Sequence, residues 1–356
     1  MGKDARIWAF GLLGLGMAWA GAGCDGLSGE DPAKQSVGQD RSTVVVYSAL
    51  DEEFSRPILE AYGKAARVKV EVKYDVESTK TVGLTNLLIA EAGRPRCDLF
   101  WNNEILNTIR LRQKGLLQEF RPPNADAYPI NVRDENGTWY GFAARARILL
   151  IDTRQIGDAD RPRGIMDLND PRWKGKVGLA KPLFGTTATH AACLFNVLGE
   201  EKAKAFFKGL KENEARVFSG NKQVAKAVAS GEIAIGLTDT DDAMIELEQG
   251  GAVAIVYPDL GRDQIGTLFI PNTLCVPKGA THSEAATELA NHLLSATVEE
   301  ALAAGPSAQI PLGRTATDRA RIESPETVKA MKVDFEAAAS QWDKAAAFLA
   351  EEFGGP

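Results

Sequence analysis

Residues Thr43–Tyr47 have the sequence TVVVY, a short and continuous apolar run with which the prediction of the fold begins. Such a run is typical of a strand that is covered on both faces of a parallel sheet. Residues 54–62 then carry apolar side chains at helical spacing, and residues 68–74 alternate apolar with charged side chains as in a second strand. A helical segment at 82–89 leads to another buried strand, CDLFW at Cys97–Trp101. This order predicts a parallel sheet with helices on both faces.

The same alternation of strands and helices returns in the second half of the chain. Strands are predicted at 148–151, 176–180, 233–237, 253–257 and 273–276, and helices at 104–114, from near Gly185, at 201–210, 224–229 and 243–249. Thr281 and Thr297 each stand three residues before a Glu, which predicts two capping boxes. Ser324-Pro325 predicts the start of a long Ala-rich helix. The pattern as a whole predicts two α/β lobes, each a mainly parallel sheet flanked by helices, joined by crossover strands.

The N-terminus indicates export. Lys3 and Arg6 precede an apolar run at 7–20, which is shorter than the roughly 20 residues of a membrane span, and small residues lead to Cys24. This arrangement predicts a lipoprotein signal over 1–23, with lipidation of Cys24 and an anchor on the periplasmic or cell-surface face of the cytoplasmic membrane. Ordinary cleavage nearby, which would release a free secreted protein, is the alternative. The polar segment 24–42 predicts a flexible tether.

Composition excludes several classes of protein. The 356 residues carry 48 acidic against 41 basic side chains, a formal charge of −7, which argues against a nucleic-acid partner. Four cysteines and three histidines form no CxxC pair and no HExxH helix, which argues against zinc sites. Cys97, Cys193 and Cys275 lie in apolar runs and are predicted to be buried thiols, although export leaves one disulfide possible.

Several segments, in order along the chain, carry a resemblance to a known family. They are Val44–Asp51 (VVVYSALD), Cys97–Leu117, Asp167–Gly178 (DLNDPRWKGKVG), Phe207–Glu214 (FKGLKENE) and Gly231–Leu237 (GEIAIGL). Together they resemble the ferric-iron-type periplasmic substrate-binding proteins of ABC importers, within bacterial extracellular solute-binding protein family 1. The resemblance implies a type II periplasmic-binding-protein fold, with 43–143 and 270–312 in lobe 1 and 144–269 and 313–356 in lobe 2. It also implies a non-enzymatic monomer that closes on a small ligand and presents it to a membrane permease.

The resemblance also implies where the ligand binds. The loop Ser48–Asp51 places Asp51 where ferric relatives have a metal ligand, and Asn103 or Glu104 follows the third strand. Asp241 and Asp242 stand where those relatives have a tyrosine pair, so Asp51, Glu104, Asp241 and Asp242 would be the metal ligands if iron is the cargo. The residues expected to hold a synergistic anion are Gly185, Thr186, Thr187 and Asn221. Asp239 is expected to be a further acid of the cleft.

Other interpretations of these residues stay open. Gly185–Thr187 could simply cap a helix, and one acid among Asp239, Asp241 and Asp242 could cap the next one. His190 is expected to pack in the core rather than to bind metal. The cargo could be Fe³⁺ with its anion, or an organic ligand bearing a phosphonate, a sugar phosphate or an amine; a secreted hydrolase is a remote alternative. Acids in a closed cleft repel unless something positive lies between them, which favours a cationic feature.

Overall fold

The strand β5 (Trp139–Asp152) lies at the centre of the sheet, and all of its side chains are buried. This computed structural model describes residues 43–75, 79–316 and 320–354, which belong to one compact unit of the chain. The other strands are β1 (Thr43–Ser48), β2 (Lys69–Tyr74), β3 (Leu99–Asn102), β4 (Leu117–Gln118), β6 (Val177–Ala180), β7 (Arg216–Phe218), β8 (Ile235–Asp239), β9 (Val253–Val256) and β10 (Phe269–Pro277).

Two parallel groups of strands flank the centre, in the order β2-β1-β3-β10-β5-β8-β6-β7. The first group, β2-β1-β3, is parallel throughout, and so is the second, β8-β6-β7. β5 belongs to both halves, because its first part pairs antiparallel with β10 and its last part, from Arg147 onward, pairs antiparallel with β8. The crossover strand therefore carries its residues from one half of the sheet into the other.

The helices cover the faces of the sheet. They are α1 (Glu52–Ala66), α2 (Val82–Ala90), α3 (Leu106–Gln113), α4 (Gly185–Val197), α5 (Glu200–Glu212), α6 (Asn221–Ala229), α7 (Thr240–Glu248), α8 (Ser283–Leu293), α9 (Ala296–Ala304), α10 (Phe335–Ser340) and α11 (Trp342–Phe353). α1 shows why they form, since Phe54, Leu59 and Tyr62 recur on one face and are buried. None of the helices in the described residues is long and apolar enough to cross a bilayer.

The hydrophobic core consists of three clusters of buried residues. Leu99, Trp101 and Leu274 belong to one cluster beside β1–β3, whereas the largest cluster joins both halves of the sheet, since it contains Phe100 as well as Leu179. Each fully buried side chain of this size contributes about 1.5–3 kcal/mol relative to exposure. The cores hold the carboxyl ends of the parallel strands in fixed positions, which matters for the residues that follow those strands.

The predicted elements are confirmed for the most part, with differences at particular residues. The strand predicted at 148–151 is longer than expected and begins at Trp139. The prediction was too short because Gly141, Arg145 and Arg147 interrupt the apolar pattern of the segment. Two strands that the sequence did not predict, β4 and β7, are only two and three residues long. The buried thiols are confirmed, since Cys97, Cys193 and Cys275 are all free and buried.

The predicted starts of three helices are wrong. Thr281 caps nothing, because α8 begins after His282, and Thr297 lies inside α9, where the Ser295 hydroxyl instead accepts the N–H of Val298. Ser324-Pro325 opens a turn rather than a helix, since the hydroxyl of Thr327 accepts the N–H of Ser324. The C-terminal helix is two short helices, and the first is capped by the Asp334 carboxylate.

Several predictions lie outside the described residues. These are the signal at 1–23, the lipidated Cys24 and the tether at 24–42. The boundaries of the two lobes also stay a prediction.

Candidate functional site

A cleft lies where the carboxyl ends of the strands in both halves face the amino ends of helices. Its walls come from the loops after β1 and β3, the loop before α2, and the starts of α4, α6 and α7. Ligands of open α/β sheets bind at such edges, where strand ends and free helical N–H groups converge. The predicted residues that line the cleft are Asp51, Asn103, Gly185, Thr186, Asn221, Asp239, Asp241 and Asp242.

The start of α7 brings three acids together. Asp239 is the residue before the helix, and Asp241 and Asp242 lie in its first turn. All three are buried, with exposures of 3%, 7% and 8%, and one carboxylate oxygen of each lies within 4.8 Å of the others. The Asp239 side chain makes no capping hydrogen bond to α7, so its position is not explained by helix capping.

A buried arginine neutralises Asp239. Arg147, on β5, is fully buried, and its Nη1 donates to Asp239 Oδ1 at 2.7 Å. The same guanidinium lies 3.4 Å from the Thr186 hydroxyl and 3.3 Å from the Thr187 hydroxyl. Asn221 also accepts from Arg147, at 3.1 Å. The residues predicted to hold an anion are thus brought together, but around a protein ion pair.

A second buried arginine holds Asp241. Arg145, two residues earlier on β5, is 1% exposed, and its Nε donates to Asp241 Oδ2 at 2.9 Å. It also donates to the backbone oxygen of Asn103 and, at 3.0 Å, to Asn272 Oδ1. Arg145 therefore links the loop after β3, the central strand β10 and the acidic turn. The acids were expected to require positive charge from the ligand; two arginines of the crossover strand already supply part of it.

Asp242 differs from the two other acids of this cluster. Within the described ranges, no side chain donates a hydrogen bond to its carboxylate and no ion pair includes it. Burial, and then the neighbouring Asp241 carboxylate, raise the pKa of Asp242 well above its usual range, although the Lys80 charge lowers this pKa from a distance. Burial raises the pKa of Asp241 to about 6, while Arg145 opposes that shift. The cleft thus keeps one acid that protein groups do not satisfy.

Asp51 faces these acids from the opposite wall. Its carboxylate pairs with Lys80, and the two side chains are 22% and 17% exposed. Lys80 lines the cleft together with Lys181. Its place depends on Gly185, whose backbone has φ +57 and whose N–H donates to the Lys80 oxygen at 3.0 Å. Only glycine adopts such a φ readily, which gives a second reason for Gly185 besides capping.

Three predicted site residues do not line the cleft. Ser48 is fully buried, and its hydroxyl donates to the Leu50 oxygen at 3.1 Å. Thr187 lies behind the wall against Arg147. Glu104 is fully buried as well, and it accepts the N–H groups of Leu106 and Asn107 at 2.7 and 3.0 Å. The Thr189 hydroxyl donates at 2.8 Å to Glu104 Oε2, the oxygen that also accepts the Leu106 N–H. Glu104 therefore serves the start of α3, not the acidic cluster.

Histidine and tyrosine take no part in the cleft wall. His190 is 3% exposed, and burial holds the pKa of its imidazole well below its usual range, as expected of a packing residue. Tyr47 is buried, and its hydroxyl donates to Glu91 at 2.9 Å. No tyrosine is among the described residues that line the cleft, so the anionic oxygen atoms there come from carboxylates.

Sequence reasoning missed Arg145 and Arg147. Their signal was present as a pair of arginines at a spacing of two, inside a run that is otherwise apolar from Phe142 to Ile151. Residues at this spacing point to the same face of a strand. Buried arginines require acidic partners, and the acids of 239–242 are the partners that the fold supplies.

Comparison with known proteins gives the family. Residues 106–338 match the model described as bacterial extracellular solute-binding protein. The major ferric iron-binding protein of Neisseria meningitidis serogroup A is 24% identical over 195 residues, which cover 53% of this chain and 56% of that protein. The chain thus matches only about half the length of this curated relative.

Two solved structures share the fold. Iron-bound HitA from Pseudomonas aeruginosa superimposes with a TM-score of 0.78 at 23% identity, covering 87% of this chain and 99% of HitA. AfuA from Actinobacillus pleuropneumoniae, solved with fructose-6-phosphate, gives a TM-score of 0.77 at 21% identity, covering 88% and 99%. The predicted two-lobed α/β fold is confirmed by these likenesses.

Proposed function

The chain belongs to the bacterial extracellular solute-binding protein family, and on that premise we propose that it is the solute-binding component of an ABC importer. It captures a small solute between two lobes and delivers it to the permease, as a monomer. Hinge closure around a ligand suits this role, because release requires contacts that differ between closed and open states. A catalytic role is less well supported, since buried arginines hold two of the clustered acids in ion pairs and no histidine lines the described cleft.

The proposed cargo is a hard cation, ferric iron. The observation that carries this proposal is the set of three buried carboxylates within 4.8 Å of one another, in which Asp242 forms no ion pair with any described residue. Asp51 adds a fourth carboxylate from the opposite wall. Carboxylate oxygens suit hard, highly charged ions. The names of the ferric iron-binding relatives agree with this chemistry.

The size of the cleft also favours an ion. Its volume is about 30 Å³, whereas a site needs roughly 10–15 Å³ for each water-sized body. The conformation described here therefore has room for an ion with one or two small ligands. A sugar phosphate would require the walls to separate.

A phosphate-bearing organic ligand is the second candidate. Lys80 and Lys181 line the cleft beside the start of α4, where free N–H groups attract anions. AfuA, solved with fructose-6-phosphate, shares the fold. A phosphonate, a sugar phosphate or an amine-bearing solute therefore remains the alternative that the experiment must separate from iron.

Thermal shift distinguishes the two candidates. The purified protein, stripped of metal, is heated with ferric iron as its nitrilotriacetate chelate, with fructose-6-phosphate, with 2-aminoethylphosphonate or with spermidine. A ligand at 100 times its dissociation constant stabilises the folded state by about 2.7 kcal/mol. Iron should raise the melting temperature of the protein and of the control variant Asp259→Asn to the same extent, and should stabilise Asp242→Asn by about half as much or less. A response to an organic ligand alone would refute the iron proposal.

The lipid anchor is proposed on sequence grounds alone. An exported protein with Cys24 directly after small residues would be held at the membrane surface by a lipid on that thiol. Metabolic labelling with a radioactive fatty acid should mark the wild-type protein and not Cys24→Ala. A labelled Cys24→Ala variant, or an unlabelled wild type found free in the medium, would favour ordinary signal cleavage.

A further inference from the structure

The Asp239 carboxylate lies among the groups expected to bind an external anion. The Thr186 hydroxyl donates to its Oδ2, and Asn221 Nδ2 donates to the same oxygen at 2.9 Å. Arg147 donates to Oδ1 at 2.7 Å. A hydroxyl, an amide and a guanidinium converging on two oxygens are the donors that a phosphate or carbonate would use. Here a side chain of the protein occupies them.

We propose that Asp239 is a built-in anion, so that the protein takes up its cation without an accompanying phosphate, carbonate or citrate. The proposal rests on the proposed function, which supplies the cation. Arg147 is fully buried and Asp239 is 3% exposed, so an external oxyanion would have to displace Asp239 or lie against its charge. Like charges in a buried site disfavour each other strongly. The internal carboxylate therefore excludes the external one.

The same carboxylate also faces the proposed cation. One oxygen of Asp239 lies within 4.8 Å of ligand atoms of Asp241 and Asp242. The Asp239 carboxylate accepts hydrogen bonds from Thr186 of α4 and Asn221 of α6 and also lies beside the acidic turn of α7. A bridging anion would occupy the same position between these groups. Unlike an external anion, the Asp239 carboxylate is covalently attached to the chain, so it cannot leave together with the cargo.

The first test needs no metal. The metal-free protein is titrated with inorganic phosphate up to about 10 mM while its melting temperature is followed. The wild type should show no shift, because Asp239 fills the position. Asp239→Ser opens the position next to Arg147, so phosphate should raise the melting temperature of this variant. The double variant Asp239→Ser/Arg147→Met should not respond, and Asp259→Ser serves as a control for loss of a buried acid elsewhere.

If Asp239→Ser does not fold, the wild type and the Asp239→Asn variant decide the proposal. A phosphate-dependent shift of the metal-free wild type overturns it. A wild type that ignores phosphate, with an Asp239→Asn variant that folds and binds ferric iron more weakly, supports it.

The second test adds the cargo. The affinity for ferric iron, delivered as the nitrilotriacetate chelate, is measured with and without phosphate. The wild-type dissociation constant should change by less than about twofold, and that of Asp239→Ser should improve by about tenfold or more with phosphate. A tenfold improvement in the wild type overturns the built-in anion. If the wild type binds no iron in either buffer, the proposed function fails, and the metal-free phosphate titration still decides whether Asp239 fills the anion position.

Discussion

Two groups of buried carboxylates have opposite surroundings. Glu104 and Glu299 are 0% and 1% exposed, and Asp241 and Asp242 are 7% and 8% exposed. Glu299 accepts the N–H groups of Ala143, Leu312 and Gly313 at 2.8, 2.9 and 2.8 Å, much as Glu104 serves the start of α3. Asp242 receives no such donor among the described residues. Burial of an acid therefore does not by itself indicate a ligand site. A buried carboxylate that lacks hydrogen-bond donors and an ion-pair partner is the better indication.

Arg147→Met is expected to have the largest effect, because it tests the ion pair that compensates one of the buried acids of the cleft. Arg147→Met leaves Asp239 buried without its ion-pair partner, and removal of one member of a buried pair costs about 3–5 kcal/mol. Urea denaturation should show a loss of this size in the free energy of unfolding. The double variant Arg147→Met/Asp239→Leu should recover much of it. A single variant as stable as the wild type would show that the pair does not set the charge of the cleft.

Glu104→Ala tests the group of satisfied acids. The change leaves the N–H groups of Leu106 and Asn107 without their acceptor, and each unsatisfied group costs about 1–3 kcal/mol. Chemical denaturation should therefore show a loss of about 3 kcal/mol, with Glu299→Ala as the matched variant. The affinity of the folded protein for ferric iron should be unchanged. Lost affinity with intact stability would restore Glu104 as the metal ligand that the resemblance implied.

Asp242→Asn tests the acid with too few partners. The variant removes a buried negative charge that lies beside Asp241 and Asp51, so the free energy of unfolding should stay the same or rise by about 1 kcal/mol. Affinity for ferric iron, measured by competition with a chelator, should fall about tenfold or more. A variant that unfolds but binds iron normally once folded would place Asp242 in the structural group.

Asp259→Asn is expected to have the smallest effect on stability, and this effect depends on pH. Burial raises the pKa of Asp259 to about 6, although the Ile165 N–H opposes the shift. The folded protein then binds this proton more tightly than the unfolded chain, whose Asp titrates near pH 3.9. Its contribution to stability is present at low pH and is lost as pH rises from about 4 to above 6.

Asparagine does not titrate, so the Asp259→Asn variant should lose stability less steeply over this range. Thermal melts at a series of pH values measure the difference in slope between wild type and variant. Equal slopes would show that folding does not change the proton affinity of Asp259. The residue suits the comparison because it is 5% exposed and does not line the cleft.

Local patterns were enough for most of the fold. The apolar run of β1, the alternation in β2 and the helical spacing of α1 depend on neighbours in sequence, so they could be predicted from residues alone. The same holds for the acids at 239–242, which follow directly after a strand. The errors fell at helix starts that offer more than one capping residue. At Thr297 the Ser295 hydroxyl, two residues earlier, caps α9, and after Thr281 the His282 N–H donates to Asp98, which lies far away in sequence.

The family, the α/β order and the acidic character of the cleft follow from short segments of sequence, because each depends on residues that are close along the chain. Which of the acids form ion pairs depends instead on contacts between distant residues. Asp239 and Asp241 lie 92 and 96 residues from Arg147 and Arg145, and the crossover strand brings each pair into contact. Such long-range pairing has no local pattern, since it depends on strand order and register. The charge that a ligand meets in this cleft is therefore a property of the fold.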